Sequence, residues 1–322
     1  MKKFDIVSLG EILIDYTPRE KSQSGMAVFE QNPGGAPANV MVSATKLGLK
    51  TAFIGKIGQD MQGDFLRKTL DDQNIETKGL ISDPNYFTTL AFVSIDENGE
   101  RNFAFARKPG ADTMLRADEV NLEIVENAKV FHFGSLSLTD EIAREATFFA
   151  VKKAKEAGAI ISYDPNYRAP LWNSKEQAIE QMKSPLELVD ILKISDEETE
   201  LMTGEIDPYR ACEVLLSIGI PVVAITLGAD GALIATKDGV SHVKGFKPQR
   251  ICDTNGAGDS FWGGFLYKVI VNGNKPCEIT IEEAVENAFF ANGVASLCVE
   301  NFGAIPAMPT IETVNERLAT LV

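Results

Sequence analysis

Residues 251–266 read ICDTNGAGDSFWGGFL. Three small residues, Gly256, Ala257 and Gly258, stand directly before an acid, Asp259, and an apolar run follows. The run predicts a helix. A helix opening behind so bare a backbone predicts an anion site, because its first N–H groups lack partners and carry partial positive charge. Small residues let an anion approach those groups closely. Asp259 then has two readings, a helix N-cap or an acid acting beside a bound anion. Gly263 and Gly264 would each cost about 1 kcal/mol relative to Ala inside a helix. They predict close packing, against a ligand or against a sheet.

Outward from this stretch the chain alternates. FDIVSLG (4–10), TAFIG (51–55), KVFHFG (129–134), AIISYD (159–164), DILKIS (190–195) and VVAITLG (222–228) read as buried strands. Amphipathic stretches separate them, such as EIAREATFFAVKKAKEAG (141–158) with Gly158 as its stop signal. Strand–helix repetition predicts a mostly parallel sheet with helices on both faces. No linker, repeat or composition break divides residues 1–322, so a single α/β domain is expected.

One region departs from the rhythm. FTTLAFVSIDENGERNFAFAR (87–107) alternates with period two around DENG, a hairpin pattern that puts Phe103, Phe105 and Arg107 on one face. EILIDYTP (11–18) and MAVFEQNPGG (26–35) supply two more strands. Together, roughly 11–32 and 87–108 predict a small β-sheet layered over the end of the main one. A lid of that kind would cover a site and exclude water; an antiparallel edge of the main sheet is the alternative.

Composition narrows the function. A net charge of -15 argues against nucleic-acid and anionic-membrane partners, which need basic surface. An anionic substrate would have to be held by backbone N–H groups, a few Arg or Lys, and a metal ion. The four cysteines form no C-x-x-C pair and read as reduced thiols. With no signal-peptide or transmembrane run in MKKFDIVSLG or beyond, a cytoplasmic protein is expected.

Three polar motifs follow predicted strands: DPNYR (164–168), SDEE (195–198) and LGADG (227–231). Ligands of open α/β sheets bind along that carboxyl edge, so the three motifs predict a composite site. Neither a P-loop nor a strand-linked G-x-G-x-x-G is present. The two histidines, His132 (core) and His242 (surface), lack a nucleophile signature, which disfavours a hydrolase triad.

NPGGAPANVMVSATKLG (32–48) together with DTNGAGDSFWGGFL (253–266) resembles the two signature regions of the ribokinase-like (PfkB) carbohydrate kinases, and the resemblance covers essentially the whole chain. GEILIDYTP, PGGAPANV, DPNYRAPLW and TLGADGA look most like the fructokinases of that family. The resemblance implies a three-layer α/β/α fold with a β-lid, and transfer of the ATP γ-phosphoryl group to a sugar primary hydroxyl, above all fructose to fructose 6-phosphate. A 2-keto-3-deoxygluconate kinase, a ribokinase and a nucleoside-type kinase stay open as alternatives. So, outside enzymes, does a catalytically silent sugar or nucleotide sensor.

It also implies roles. Asp259 matches the catalytic base, and Gly256, Ala257 and Gly258 match the anion hole. Asp15, Gly34, Gly35 and Asn39 match sugar-binding positions, with Phe105 and Arg107 reaching down from the lid. Asn166 and Arg168 face the phosphates or the sugar; Arg168 could instead make a structural ion pair. SDEE is similar to the family's N-x-x-E, with Ser195 replacing the Asn on the nucleotide side. Glu198 would act on Mg²⁺ through bound water, its alternative being a first-turn helix acid. Thr226, Gly228 and Gly231 match the nucleotide-phosphate turn and Asn292 a position near adenine, though Asn292 could simply pack. Asp253 and Asn255 match a monovalent-cation site. ATP, Mg²⁺ and K⁺ are thus the implied cofactors, and the exposed edges of a lid suit a homodimer.

Overall fold

The computed structural model of the chain describes residues 2–95 and 101–320, so the turn Asp96–Gly99 and the side chain of Phe103 lie outside the described residues. Its strands are β1 (Phe4–Leu9), β2 (Leu13–Arg19), β3 (Val28–Gly34), β4 (Thr51–Gly58), β5 (Glu76–Asp83), β6 (Leu90–Ile95), β7 (Arg101–Ala106), β8 (Ala128–Gly134), β9 (Ile160–Asp164), β10 (Ile191–Ser195), β11 (Val222–Thr226), β12 (Ala232–Thr236) and β13 (Gly239–Val243). Its α-helices are α1 (Ala36–Lys46), α2 (Met61–Asp72), α3 (Leu122–Glu126), α4 (Glu141–Glu156), α5 (Lys175–Lys183), α6 (Thr199–Thr203), α7 (Pro208–Ser217), α8 (Ala257–Asn272), α9 (Ile281–Cys298) and α10 (Ile311–Ala319).

Two sheets result. The larger has the order β13-β12-β11-β10-β9-β8-β1-β4-β5, and the smaller has the order β3-β2-β6-β7. From β5 to β11 every pairing in the larger sheet is parallel. β12 and β13 continue it antiparallel, a hairpin that the strand reading misses although Asp238-Gly239 is a strong turn signal. β5, whose apolar run is broken by Thr77, Lys78 and Gly79, is likewise an unpredicted edge strand.

Alternation along each strand divides the core between the two faces of the sheet. Val7, Leu9, Phe131, Phe133, Val223 and Ile225 pack into one apolar cluster with α4 and α7. Ile6, Val130, Val222 and Ala224 point the other way, into a cluster with α1, α8 and α9. α4 spans Glu141–Glu156 and stops before Gly158 at φ +78°, as its pattern predicts. His132 is buried and shares the Ser162 hydroxyl with the Trp262 indole N–H, both at 3.0 Å.

The glycine pair of α8 touches neither a ligand cleft nor the sheet. A Cβ on Gly263 would overlap the Ser43 side chain of α1, and one on Gly264 would come within 2.9 Å of the Val294 side chain of α9. Both glycines therefore serve helix–helix contact. Among the described residues no helix is long and apolar enough to cross a membrane, and all four cysteines are free.

Candidate active site

One cleft opens between the carboxyl edge of the large sheet and the small sheet. Asp15, Gly35, Asn39, Phe105, Asn166, Arg168, Asn255, Gly256 and Asp259 all line it, together with Glu11 and Leu136. Residues as far apart in the chain as Glu11 and Asp259 converge there, and each arrives by a traceable local route.

Asp259 sits in the first turn of α8, but it does not cap the helix. The N-cap is Gly256, at φ +76°, where a Cβ would also lie 2.8 Å from that of Ala304. Conformation and crowding both demand glycine at that position. The Asp259 carboxylate is buried and accepts a hydrogen bond from Asn39 Nδ2 at 2.8 Å and another from Asn166 Nδ2 at 3.1 Å. Asn166 holds its amide there from a left-handed backbone conformation, φ +49°, which is uncommon for a residue other than glycine. Burial raises the Asp259 pKa, while Lys193, Asn39, Arg168 and Asn166 oppose that rise. The result is a carboxylate with increased proton affinity, gripped by two neutral amides and facing a cleft.

The helix mouth ahead of it is narrower than the three-residue stretch suggests. Ala257 N–H donates to the Thr254 carbonyl at 3.3 Å. The Gly258 and Asp259 N–H groups lie in the first turn, where no carbonyl of the helix can reach them.

Asp15, on β2, is raised to about 6 by burial, opposed by Arg168 and reinforced by Asp253 and Asp259. Gly34 lies on the neighbouring strand β3, where a Cβ would overlap the Asp15 carboxylate. Gly35 (φ +111°) caps α1, and a Cβ there would stand 2.5 Å from the Glu11 carbonyl oxygen. Arg168 is exposed, and the salt bridges of the described residues do not involve it.

Several expected contacts take other places. Arg107 does not line this cleft: its guanidinium is buried, ion-paired with Asp112 at 2.7 Å and bonded to Thr139 Oγ1 and the Leu136 carbonyl. That site, with Asp112 also bonded to Thr89, ties the root of the lid to the core. Glu198 is buried and accepts from Tyr167 N at 2.6 Å, Ser195 N at 2.7 Å and Ser195 Oγ at 3.1 Å. It is the first-turn acid of its alternative reading. With about three of its four lone-pair sites occupied, it retains one open acceptor site. Asn292 spends its amide on the Val243 and Lys244 carbonyls, both at 3.1 Å, and so clasps the end of β13. Thr226 ends β11 and Gly228 follows it, and a Cβ on Gly231 (φ +94°) would overlap the Val243 carbonyl oxygen. Asp253 accepts from Asn255 N at 3.0 Å and from Gly303 N at 3.2 Å. Among the described residues no group of three or more His, Cys, Asp or Glu could by itself hold a metal ion.

Sequence reasoning missed three groups. Glu11 is buried in the cleft wall, with Oε1 accepting from Ala36 N at 3.0 Å and Oε2 without a partner. Burial raises it to about 8, against Arg107 and its backbone hydrogen bonds. Asp164 and Lys193 form a buried ion pair, 2.8 Å apart, beneath the mouth of α8. Both belong to quoted motifs, but nothing in DPNYR or DILKIS says that an Asp and a Lys from adjacent strands will meet.

Residues 3–311 match the family model described as pfkB family carbohydrate kinase. A probable chloroplastic fructokinase-6 of Arabidopsis thaliana is 42% identical over 318 residues, covering 97% of this chain and 82% of the plant protein. The crystal structure of a fructokinase with bound ATP from Xylella fastidiosa superposes with a TM-score of 0.92 at 32% identity, covering 100% and 99% of the two chains. A fructokinase double mutant from Vibrio cholerae O395, in fructose-, ADP- and potassium-bound form, superposes with a TM-score of 0.87 at 31% identity and covers 99% of each chain.

Proposed function

The chain belongs to the pfkB family of carbohydrate kinases, and from that membership we infer that its cleft transfers the γ-phosphoryl group of ATP to the primary hydroxyl of fructose, giving fructose 6-phosphate. One observation carries the assignment of the chemistry: a buried carboxylate, Asp259, held by Asn39 and Asn166 in the first turn of a helix whose N-cap, Gly256, lines the same cleft.

Asp259 accepts the proton of the attacking hydroxyl as its oxygen bonds to phosphorus. Each carboxylate oxygen receives one amide N–H, which leaves lone pairs for that proton and prevents the side chain from rotating away. Its raised proton affinity improves it as an acceptor. The negative charge of the transferring group is met by the Gly258 and Asp259 N–H groups and the helix dipole, fixed in advance of the reaction. Asp15 accepts hydrogen bonds from sugar hydroxyls, and Phe105 covers the ring from the lid.

The nucleotide lies along the ends of β10 and β11, where Ser195, Thr226, Gly228 and Gly231 offer backbone and hydroxyl groups. Mg²⁺ would be held by the triphosphate, and Glu198, with one acceptor site open, would accept from one of its waters. A bound Mg²⁺ would supply charge neutralisation between the phosphates. K⁺ suits the loop of Asp253 and Asn255, whose oxygens are arrayed by the bonds to Gly303 and Asn255 N–H groups. The lid supports a homodimer: Phe29 and Phe92, in edge-to-face contact, and Val28 stand exposed on its strands.

The test is ADP release with ATP, Mg²⁺ and a panel of fructose, ribose, adenosine and 2-keto-3-deoxygluconate. Fructose should give the highest kcat/KM. A higher value for another member reassigns the sugar, and silence across the panel overturns the kinase assignment.

A further inference from the structure

Beneath the mouth of α8 lies a charge that none of the roles above uses. Lys193, on β10, is buried, and its ammonium donates to Asp164 Oδ2, at the end of β9, at 2.8 Å. The other oxygen, Asp164 Oδ1, has no hydrogen-bond partner among the described residues. The position a Cβ would take on Gly258 is only 3.1 Å from Lys193 Nζ. The ammonium therefore lies close against Gly258, in the first turn of α8 and next to Asp259 in the chain. Glycine at 258 accommodates that approach, since a Cβ there would require the lysine to give by a few tenths of an ångström.

A structural ion pair of this kind is hard to justify by stability alone. Desolvating two charges opposes the attraction between them, and apolar replacements of similar volume are often as stable. Here the pair is placed where it acts on other groups. Lys193 faces three carboxylates, Asp164, Glu198 and Asp259. The groups facing Asp259 are Lys193 and Arg168, which favour its charged form, Asp15 and Asp164, which oppose it, and the Cys298 thiol of α9, which burial pushes up to about 12. Arg168 is exposed and screened by solvent, so the buried lysine is the stronger of the two cations.

We propose that Lys193 is a positioning residue of the phosphoryl transfer: its buried ammonium, oriented by Asp164 behind Gly258, keeps Asp259 in its proton-accepting form and adds positive potential to the amides ahead of it. Lys193 touches no reacting atom in this role. It acts through Asp259 and the helix mouth. The inference rests on Asp259 being the base.

The experiment is the pH profile of kcat/KM for wild type, Lys193→Met, Lys193→Arg and Asp164→Asn, with Asp259→Asn as reference. Lys193→Met removes the charge and retains much of the volume. Its acid limb should move to higher pH by about one unit, the size of shift that a nearby opposite charge produces, so that kcat/KM on that limb falls by up to about tenfold. Lys193→Arg keeps the charge and should recover much of the wild-type limb position. Asp164→Asn leaves an amide oxygen to bond the ammonium but no longer neutralises it, so its acid limb should move to lower pH. Two mutations of one ion pair that shift a limb in opposite directions cannot be explained by lost packing.

An unmoved limb in Lys193→Met, or shifts of the same sign in Lys193→Met and Asp164→Asn, overturns the proposal. Should Lys193→Met fail to fold, the Asp164→Asn shift alone decides: downward supports it, absent or upward refutes it. If Asp259→Asn retains the wild-type rate, the underlying base assignment is what fails. If Asp259→Asn loses activity while the lysine and aspartate variants leave the limb in place, only the present inference fails.

Discussion

The proposed sugar and nucleotide regions are made of different materials. On the sugar side, the side chains of Asp15, Asn39, Asn166 and Asp259 project polar atoms into the opening. On the proposed nucleotide side, Ser195 and Glu198 bond each other, Asn292 bonds the backbone at the end of β13, and Gly231 has no side chain at all. On the proposed function, the first region would recognise its ligand with functional groups that a substitution can change one at a time. The second would recognise a shape, made of strand ends and turns, and its side chains maintain that shape. The contrast fits a ligand of many hydroxyls on one side and a phosphate chain, which backbone N–H groups bind well, on the other.

The sharpest way to break this contrast is Asp259→Asn. It should lower kcat by about 10²–10⁴ and leave the ATP dissociation constant, measured by calorimetric titration, within a few-fold of wild type. A comparable loss of ATP binding would mean that the two regions are not separable. Next in size is Gly231→Ala on the opposite side. The methyl group would overlap the Val243 carbonyl and force a strained φ, so it should destabilise the fold by about 2–3 kcal/mol, lowering Tm and raising KM for ATP. A raised KM for sugar with normal ATP kinetics would contradict the shape argument.

Glu11→Gln sharpens the comparison from the sugar side through pH. Glu11 is raised from 4.5 to about 8 by burial, so the folded chain holds a proton that the unfolded chain releases. The stability this contributes is complete below pH 4.5 and declines as pH rises through about 8. Glutamine carries no such dependence. The Tm of Glu11→Gln relative to wild type should therefore climb between pH 5 and pH 8, by an amount on the order of 2–3 kcal/mol in stability. A constant gap would show that Glu11 is ionised in the fold. The smallest effect belongs to Asn292→Ala, which removes two hydrogen bonds to carbonyls. It should cost about 1–2 kcal/mol in chemical denaturation with kcat at saturation unchanged.

Much of this was legible in the chain, for identifiable reasons. The buried strands announce themselves because parallel strands covered on both faces are continuous apolar runs, as in Val222–Thr226. The small sheet is legible because Phe87 to Arg107 carries a hairpin pattern around its turn residues. Asp259 and its glycines form a dense local motif. What the chain hides is which polar side chains turn inward. Arg107 follows the face pattern of its strand yet is drawn into the core by Asp112, five residues on. Asn292 reads as a helical amide with no stated partner, because the carbonyls that it clasps lie 48 and 49 positions away. Glu11 and Lys193 look like ordinary charged residues beside strands. Their burial is decided by packing between elements, which no local pattern encodes.

The bare patch at Gly263 has a mechanical consequence. Ser43 Cβ stands 2.5 Å from where a methyl would grow, so α8 and α1 meet backbone against side chain with no slack between them. Neither can translate along the other without dragging its neighbour. Asn39 rides on one of these helices and Asp259 on the other. Thermal breathing of the molecule thus carries donor and acceptor as a single stiff body, and the 2.8 Å separation between them is protected by a contact that no substrate ever reaches.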